Sequence, residues 1–197
     1  MQDKKINETK ILVIAGPSGS GKNSIMQGVL ERCDNCARLV TATTRSMRDD
    51  EVDGVDYHFI TKDKFLQGIK GGSIPEFWHA QDTDRYYGTY LPDLEQKTVE
   101  GKVVVAQVQA EGIKYFKEHF NTLAVIVVAG SEEELIGRVV ARNPVTEEEL
   151  KERMDLVQKE MVEFNQVSDY TVRNENGRLE QAIEEVITIL KKENYVR

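Results

Sequence analysis

Nine residues near the amino terminus have the types and spacing to hold a polyphosphate: Gly16, Pro17, Ser18, Gly19, Ser20, Gly21, Lys22, Asn23 and Ser24. The first seven fit G-x-x-x-x-G-K, with an apolar run in front and a helical pattern behind. The glycines let the backbone bend so that several N–H groups face phosphate oxygens, and a following helix adds partial positive charge at its start. Lys22 is expected to reach the terminal phosphates. The plain alternative is a glycine-rich turn before a helix, which has no need of the lysine. Asn23 stands where such loops place a Ser or Thr hydroxyl for magnesium. Magnesium is a hard cation that prefers oxygen. The amide oxygen of Asn23, or the hydroxyl of Ser24, would therefore be a weaker or displaced ligand.

A second cluster lies in "TATTRSMRDDEVDGVDYHF", Thr41 to Phe59. Arg45 and Arg48 can fork onto one phosphate through charge-assisted hydrogen bonds, and Tyr57 can donate a third. Taken alone, the stretch also reads as two surface arginines and a hairpin aromatic. It resembles the nucleotide-acceptor motif of guanylate kinases, T-T-R-x-x-R-x-x-E-x-x-G-x-x-Y. With the phosphate loop, that resemblance covers most of the chain in the same order.

The resemblance implies transfer of the γ-phosphoryl group of ATP to GMP, with Mg²⁺, giving GDP and ADP. It implies that Arg45, Arg48 and Tyr57 hold the GMP phosphate. "YYGT" matches the family's Y-Y-G-[ST]. By that match Tyr87 joins the phosphate group, while Thr89 and Thr41 lie near the guanine edge. Arg138 and Arg142, four apart on one helical face, and Arg153 in "ELKERM" match the family's lid arginines. Such arginines stabilise charge on the transferring group, worth roughly 10³–10⁵ in rate when well placed. Solvated helix charges paired with glutamates are the plain alternative for all three.

Three departures cluster near the chemistry. The family carries D-x-D after its third-strand run, the first Asp helping to anchor magnesium and the second reading guanine; here Gln107 and Gln109 stand at those places. Asn23 replaces the magnesium-binding hydroxyl. The guanine-reading Glu is expected nine residues before Tyr87, which lands on Trp78; Glu76 lies two residues earlier, so a two-residue insertion restores it. The expectation is a high magnesium requirement, with Asn23 and Gln107 as weak or outer-shell helpers, and weakened base recognition. Two other readings stay open. "SGSGK" followed by a polar residue, and "WHA" before "YYG", resemble ribose 1,5-bisphosphate phosphokinases. Guanylate-kinase-like binding modules of scaffold proteins share the fold without the chemistry.

These residues need a frame. Continuous Val/Ile runs at Lys10–Gly16, Lys102–Val108 and Leu123–Ala129, with a weaker one at Asp169–Asn174, predict strands covered on both faces. Helical patterns at Lys22–Arg32, Gln109–His119, Glu132–Arg142 and Leu179–Lys191 predict parallel βαβ crossovers. The fold class expected is α/β: a P-loop kinase fold, a mostly parallel sheet flanked by helices, with an acceptor-binding insert and a helical lid. One domain spans 1–197, with a core of 1–40, 91–137 and 169–197, an insert of 41–90 and a lid of 138–168. Within the insert, "DYHFIT" suggests short strand and "KDKFLQGI" a short helix. Pro144 is expected to stop one helix, and "TEEE" from Thr146 is a capping-box start for the next.

The bulk numbers narrow the partners. A net charge of −8 over 197 residues argues against a general nucleic-acid binder. No apolar run approaches the ~18 residues of a membrane span. The amino terminus shows no apolar signal core, which favours the cytoplasm. The expected partners are small nucleotides; oligomeric state is left open. Cys33 and Cys36 form a lone C-x-x-C without two further ligands at zinc spacing, and read as reduced, incidental thiols. His58, His79 and His119 are scattered and read as surface or packing residues.

Overall fold

The computed structural model describes residues 8–81, 83–142 and 146–197, excluding the Arg142 side chain. Along the chain the elements begin with β1 (Lys10–Ala15), α1 (Lys22–Arg32), β2 (Cys36–Arg38), β3 (Ala42–Thr43) and β4 (His58–Phe59). Then come α2 (Lys62–Gly71), β5 (Phe77–Ala80), β6 (Arg85–Gly88), α3 (Leu91–Val99), β7 (Val103–Ala106) and α4 (Ala110–His119). The last are β8 (Asn121–Ala129), α5 (Glu132–Arg142), α6 (Glu147–Val167), β9 (Tyr170–Asn174) and α7 (Leu179–Lys192).

Five strands form one sheet in the order β2-β7-β1-β8-β9. Every pairing in it is parallel. The continuous apolar runs are explained by two-sided burial. Leu12, Ile14, Val105, Val125 and Val172 face α1 and α7, packing with Val29, Ile183 and Leu190. Ile11, Val13, Val104 and Ile126 face α4 and α6, packing with Ile113, Phe116 and Phe164. This is the predicted α/β sheet with helices on both faces.

Between β2 and α3 the chain builds a second sheet, in the order β4-β3-β6-β5. β3 pairs with β4 in parallel and with β6 antiparallel, and β5–β6 is an antiparallel hairpin. Its small core is Ala42, Phe65 and Ile74. Of "DYHFIT" only His58–Phe59 is strand, because the pairing with β3 is two residues long. α2 starts with Thr61 accepting a hydrogen bond from the Lys64 N–H and ends at Gly72 in the left-handed region. α3 begins with Pro in its first turn and buries only Leu94, so it lacks the apolar stripe that sequence patterns detect.

Thr146 and Glu149 complete a reciprocal capping box at the start of α6. That helix runs 21 residues, well beyond the start that the sequence marks. α5 and α6 pack together through Leu135, Met154, Ile136 and Leu150. Pro144 lies outside the described residues. Cys33 and Cys36 are free thiols, and burial pushes both pKa values up, Cys36 to about 12. Among the described residues no helix is long and apolar enough to cross a membrane.

Candidate active site

The phosphate loop joins the central strand β1 to α1, with parallel neighbours β7 and β8 on either side. Crevices at the carboxyl ends of parallel strands are where open α/β sheets bind ligands. Gly21 is the N-cap of α1 at φ 88°, and a Cβ there would stand 2.1 Å from Asn174 Nδ2. Asn174 in turn donates to the Ser20 carbonyl at 2.8 Å. Gly16, at φ 141°, leaves no room either: its Cβ would lie 2.2 Å from the Val127 carbonyl oxygen. No side chain caps α1 and no acid sits in its first turn, so the helix end keeps its amide donors and positive dipole for an anion. Lys22 Nζ donates to the Pro17 carbonyl at 3.3 Å. The Ser20 hydroxyl is buried without a hydrogen-bond partner among the described residues.

A cavity of about 300 Å³ opens in front of this loop. Gly16, Ser18 and Lys22 line one side of it. Thr41, Tyr57, Glu76, Trp78 and Tyr87 line the other. Gln107 and Gln109 close the end beside the sheet. The fold thus brings together two motifs that lie tens of residues apart in sequence. Asn23 and Ser24 are exposed on the first turn of α1 and do not line the cavity. Gln107 does, and its side-chain nitrogen is buried without a hydrogen-bond partner among the described residues. Gln109 is the N-cap of α4 but leaves the capping position unused. No group of three or more His, Cys, Asp or Glu converges to a metal site among the described residues.

Glu76 and Trp78, two residues apart on one strand face, both line the cavity. β5 and β6 pair Trp78 with Tyr87 and Phe77 with Gly88. Glu76 therefore falls opposite Thr89, whose N–H donates to the Glu76 carbonyl at 3.0 Å. The Thr89 hydroxyl donates to Glu76 Oε2 at 2.8 Å. Burial pushes the Glu76 carboxyl above the ordinary range, against the pull of its hydrogen bonds from Thr89. Gly112 on α4 makes room for it, since a Cβ there would lie 2.8 Å from Glu76 Oε1.

Arg45 and Glu51 form a bidentate pair at 2.8 and 2.6 Å, with side chains only 9% and 13% exposed. The guanidinium also lies 5.5 Å from the ring centres of Tyr57 and Phe59. Hydrogen bonds from Arg45 and from the Arg48 N–H hold the Glu51 carboxyl down at about 2. Tyr57 meets Tyr87 edge-on at 6.1 Å. The Arg48 side chain is exposed at the loop surface. Glu51 was visible in the sequence only as the E of the acceptor motif; its task of holding Arg45 needed the geometry.

Of the helical arginines, neither Arg138 nor Arg153 lines the cavity. Arg138 bonds the Asn174 carbonyl at 2.8 Å and Asn176 Oδ1 at 2.8 and 3.0 Å, and reaches the Ser20 carbonyl at 3.4 Å. It grips the phosphate loop from behind, on the carbonyl side, and does not line the cavity. In this structure its guanidinium is directed at loop and strand carbonyls and at Asn176, not into the cavity. The Arg142 side chain lies outside the described residues. Arg153 is exposed on α6. That helix sends Glu160 and Phe164, four residues apart on one face, into the cavity wall. Burial raises the Glu160 carboxyl, opposed by the charge of Lys22. No motif marked Glu160; its place follows from how a long helix packs.

The family model described as guanylate kinase matches residues 8–193. A guanylate kinase of Clostridium perfringens (strain SM101) is 37% identical over 190 residues, spanning 96% of this chain and 86% of that protein. A Thermotoga maritima guanylate kinase is 37% identical over 185 residues, 93% of this chain and 87% of that one. The crystal structure of guanylate kinase from Anaplasma phagocytophilum superposes with TM-score 0.71 at 25% identity, covering 95% of this chain and 87% of that chain. A shikimate kinase from Bacteroides thetaiotaomicron, 10% identical over 92% of this chain and 98% of that one, shares the fold at TM-score 0.51.

Proposed function

This chain belongs to the guanylate kinase family, and on that premise we propose how its cleft moves the γ-phosphoryl group of ATP to GMP. One observation carries the reading: residues of the phosphate loop and Thr41, Tyr57, Glu76 and Tyr87 line the same cavity. Two anions held end to end in that space need little beyond orientation and charge stabilisation to react.

The loop Gly16–Ser24 takes the ATP phosphates on its amides and the α1 dipole, with Lys22 on the terminal groups. The acceptor phosphate goes to Arg45, Arg48, Tyr57 and Tyr87. Arg45 is poised for this: its fork already holds the two oxygens of Glu51, and a phosphate competes for the same donors. Glu76 accepts from the guanine N–H groups, with Thr89 fixing its orientation and Thr41 and Gln109 alongside. Insert and lid close over the nucleotides and exclude water, bringing Arg142 and Arg153 toward the transferring group. Arg138 keeps the loop in shape.

The donor set fits a magnesium ion held mainly by ATP oxygens and water. The Gln107 side-chain amide in the cavity wall carries one neutral oxygen that could face that shell, and the exposed Asn23 on the first turn of α1, outside the cavity lining, carries a second. When bound, the ion neutralises charge on the β- and γ-phosphates. Gln107 orients water in that shell and contributes no charge of its own. Replacing Gln107 with Asp is therefore expected to lower the Mg²⁺ concentration for half-maximal turnover about tenfold and to tighten Mn²⁺ binding measured by paramagnetic resonance. An unchanged Mn²⁺ affinity would remove Gln107 from the metal's surroundings.

The test of function is a coupled assay of ADP release, offering ATP with GMP, dGMP, AMP, UMP or ribose 1,5-bisphosphate. GMP-selective turnover is expected. Turnover of the sugar phosphate in preference to GMP, or tight GMP binding without ADP release, overturns the reading.

A further inference from the structure

Trp78 is the chain's single tryptophan, and it is 44% exposed. Phe77 beside it is 42% exposed, so it is the surroundings of Trp78 that set it apart. On β5, side chains alternate between faces. Phe77 and His79 turn to the insert's own core: Phe77 lies 6.4 Å from Phe65, and His79 stacks on Tyr86 at 4.1 Å. Trp78 shares the opposite face with Glu76, and both line the cavity. Its ring lies 5.8 Å from Tyr87, tilted 34°. It belongs to none of the buried clusters that hold the fold together.

We propose that Trp78 is a contact residue for the acceptor, its indole packing against the base and ribose of the bound nucleotide. The proposal rests on the reading of this wall as the GMP site. The division of labour with Glu76 is chemical. A carboxylate reads the hydrogen-bonding edge of a base, whereas an aromatic face meets any base through its π surface. Trp78 thus adds affinity without adding selectivity. The polar amides at Gln107 and Gln109 weaken edge recognition, and an aromatic wall offsets part of that loss.

The test uses the full chain. Titration with GMP alone is expected to quench the emission of Trp78, and ATP alone to leave it nearly unchanged. Trp78→Ala raises KM for GMP about tenfold and leaves KM for ATP in place; Trp78→Phe stays within threefold of the parent, because a ring remains. A purely structural role would move both KM values or the melting temperature. KM for GMP within twofold in Trp78→Ala, or emission silent to GMP, overturns the contact. GMP turnover by the parent protein, measured alongside, keeps the two ideas apart: turnover with silent emission sinks the Trp78 contact alone, and absent turnover sinks both.

Discussion

Replacing Lys22 with Met lowers kcat by about 10²–10³, with the fold intact. The magnitude is that of removing one positioned cationic donor from a transferring group in a water-poor site. Folding survives because Lys22 sits at the open start of α1, where its Nζ contacts a loop carbonyl and no core residue depends on it. Lys22→Arg restores the charge but not the rate, since a planar fork does not fit where a compact ammonium reaches past Pro17. Single-turnover kinetics together with a thermal melt check this. A kcat within tenfold of the parent would show that Lys22 is not on the reacting phosphates.

The second large effect belongs to Glu76. Glu76→Ala is expected to lower kcat/KM for GMP by about 10²–10³. Both the guanine donors and the Thr89 hydroxyl lose their shared acceptor in a buried place. KM for ATP stays where it was. The pH dependence has a sign that follows from burial. The Glu76 carboxyl is held above its ordinary range. As pH falls through that raised value it takes a proton, ceases to accept from guanine, and KM for GMP climbs. Fold stability runs the other way: the folded chain binds this proton more tightly than the unfolded chain, so this residue's penalty shrinks on acidification and grows as pH rises. Glu76→Gln flattens the acid limb of KM for GMP. A limb unchanged in that variant would assign it to another group.

The sequence announced the central sheet plainly, because strands buried on both faces must be apolar throughout, and β1, β7 and β8 are. β4 was legible inside "DYHFIT" but shorter than that stretch, and β3 was not: two residues of pairing leave no periodicity to read. α3 escaped for a related reason, with a single fully buried residue. In the site, the phosphate loop could be read directly, since its glycines and lysine are constrained by local backbone geometry. Glu76 could be read only up to an offset of two; the structure puts it beside Thr89 on the cavity wall, with Trp78 on the same wall. Glu160 carries no motif, and Trp78 is marked only by "WHA" and by its offset from Tyr87. They reach the cavity through helix packing and strand alternation, which are properties of the assembled chain.

Arg138 has a mechanical consequence. It sits within α5 yet bonds the loop carbonyl of Ser20 and the end of β9 at Asn174. α5 is thereby pinned, where the proposed lid begins, to the turn to which we assign the donor. Any swing must pivot beyond this anchor, so the fulcrum lies at the phosphate loop itself. Cutting the anchor with Arg138→Ala is expected to speed amide exchange in residues 16–21 and in the root of α5 together, as one loosened joint.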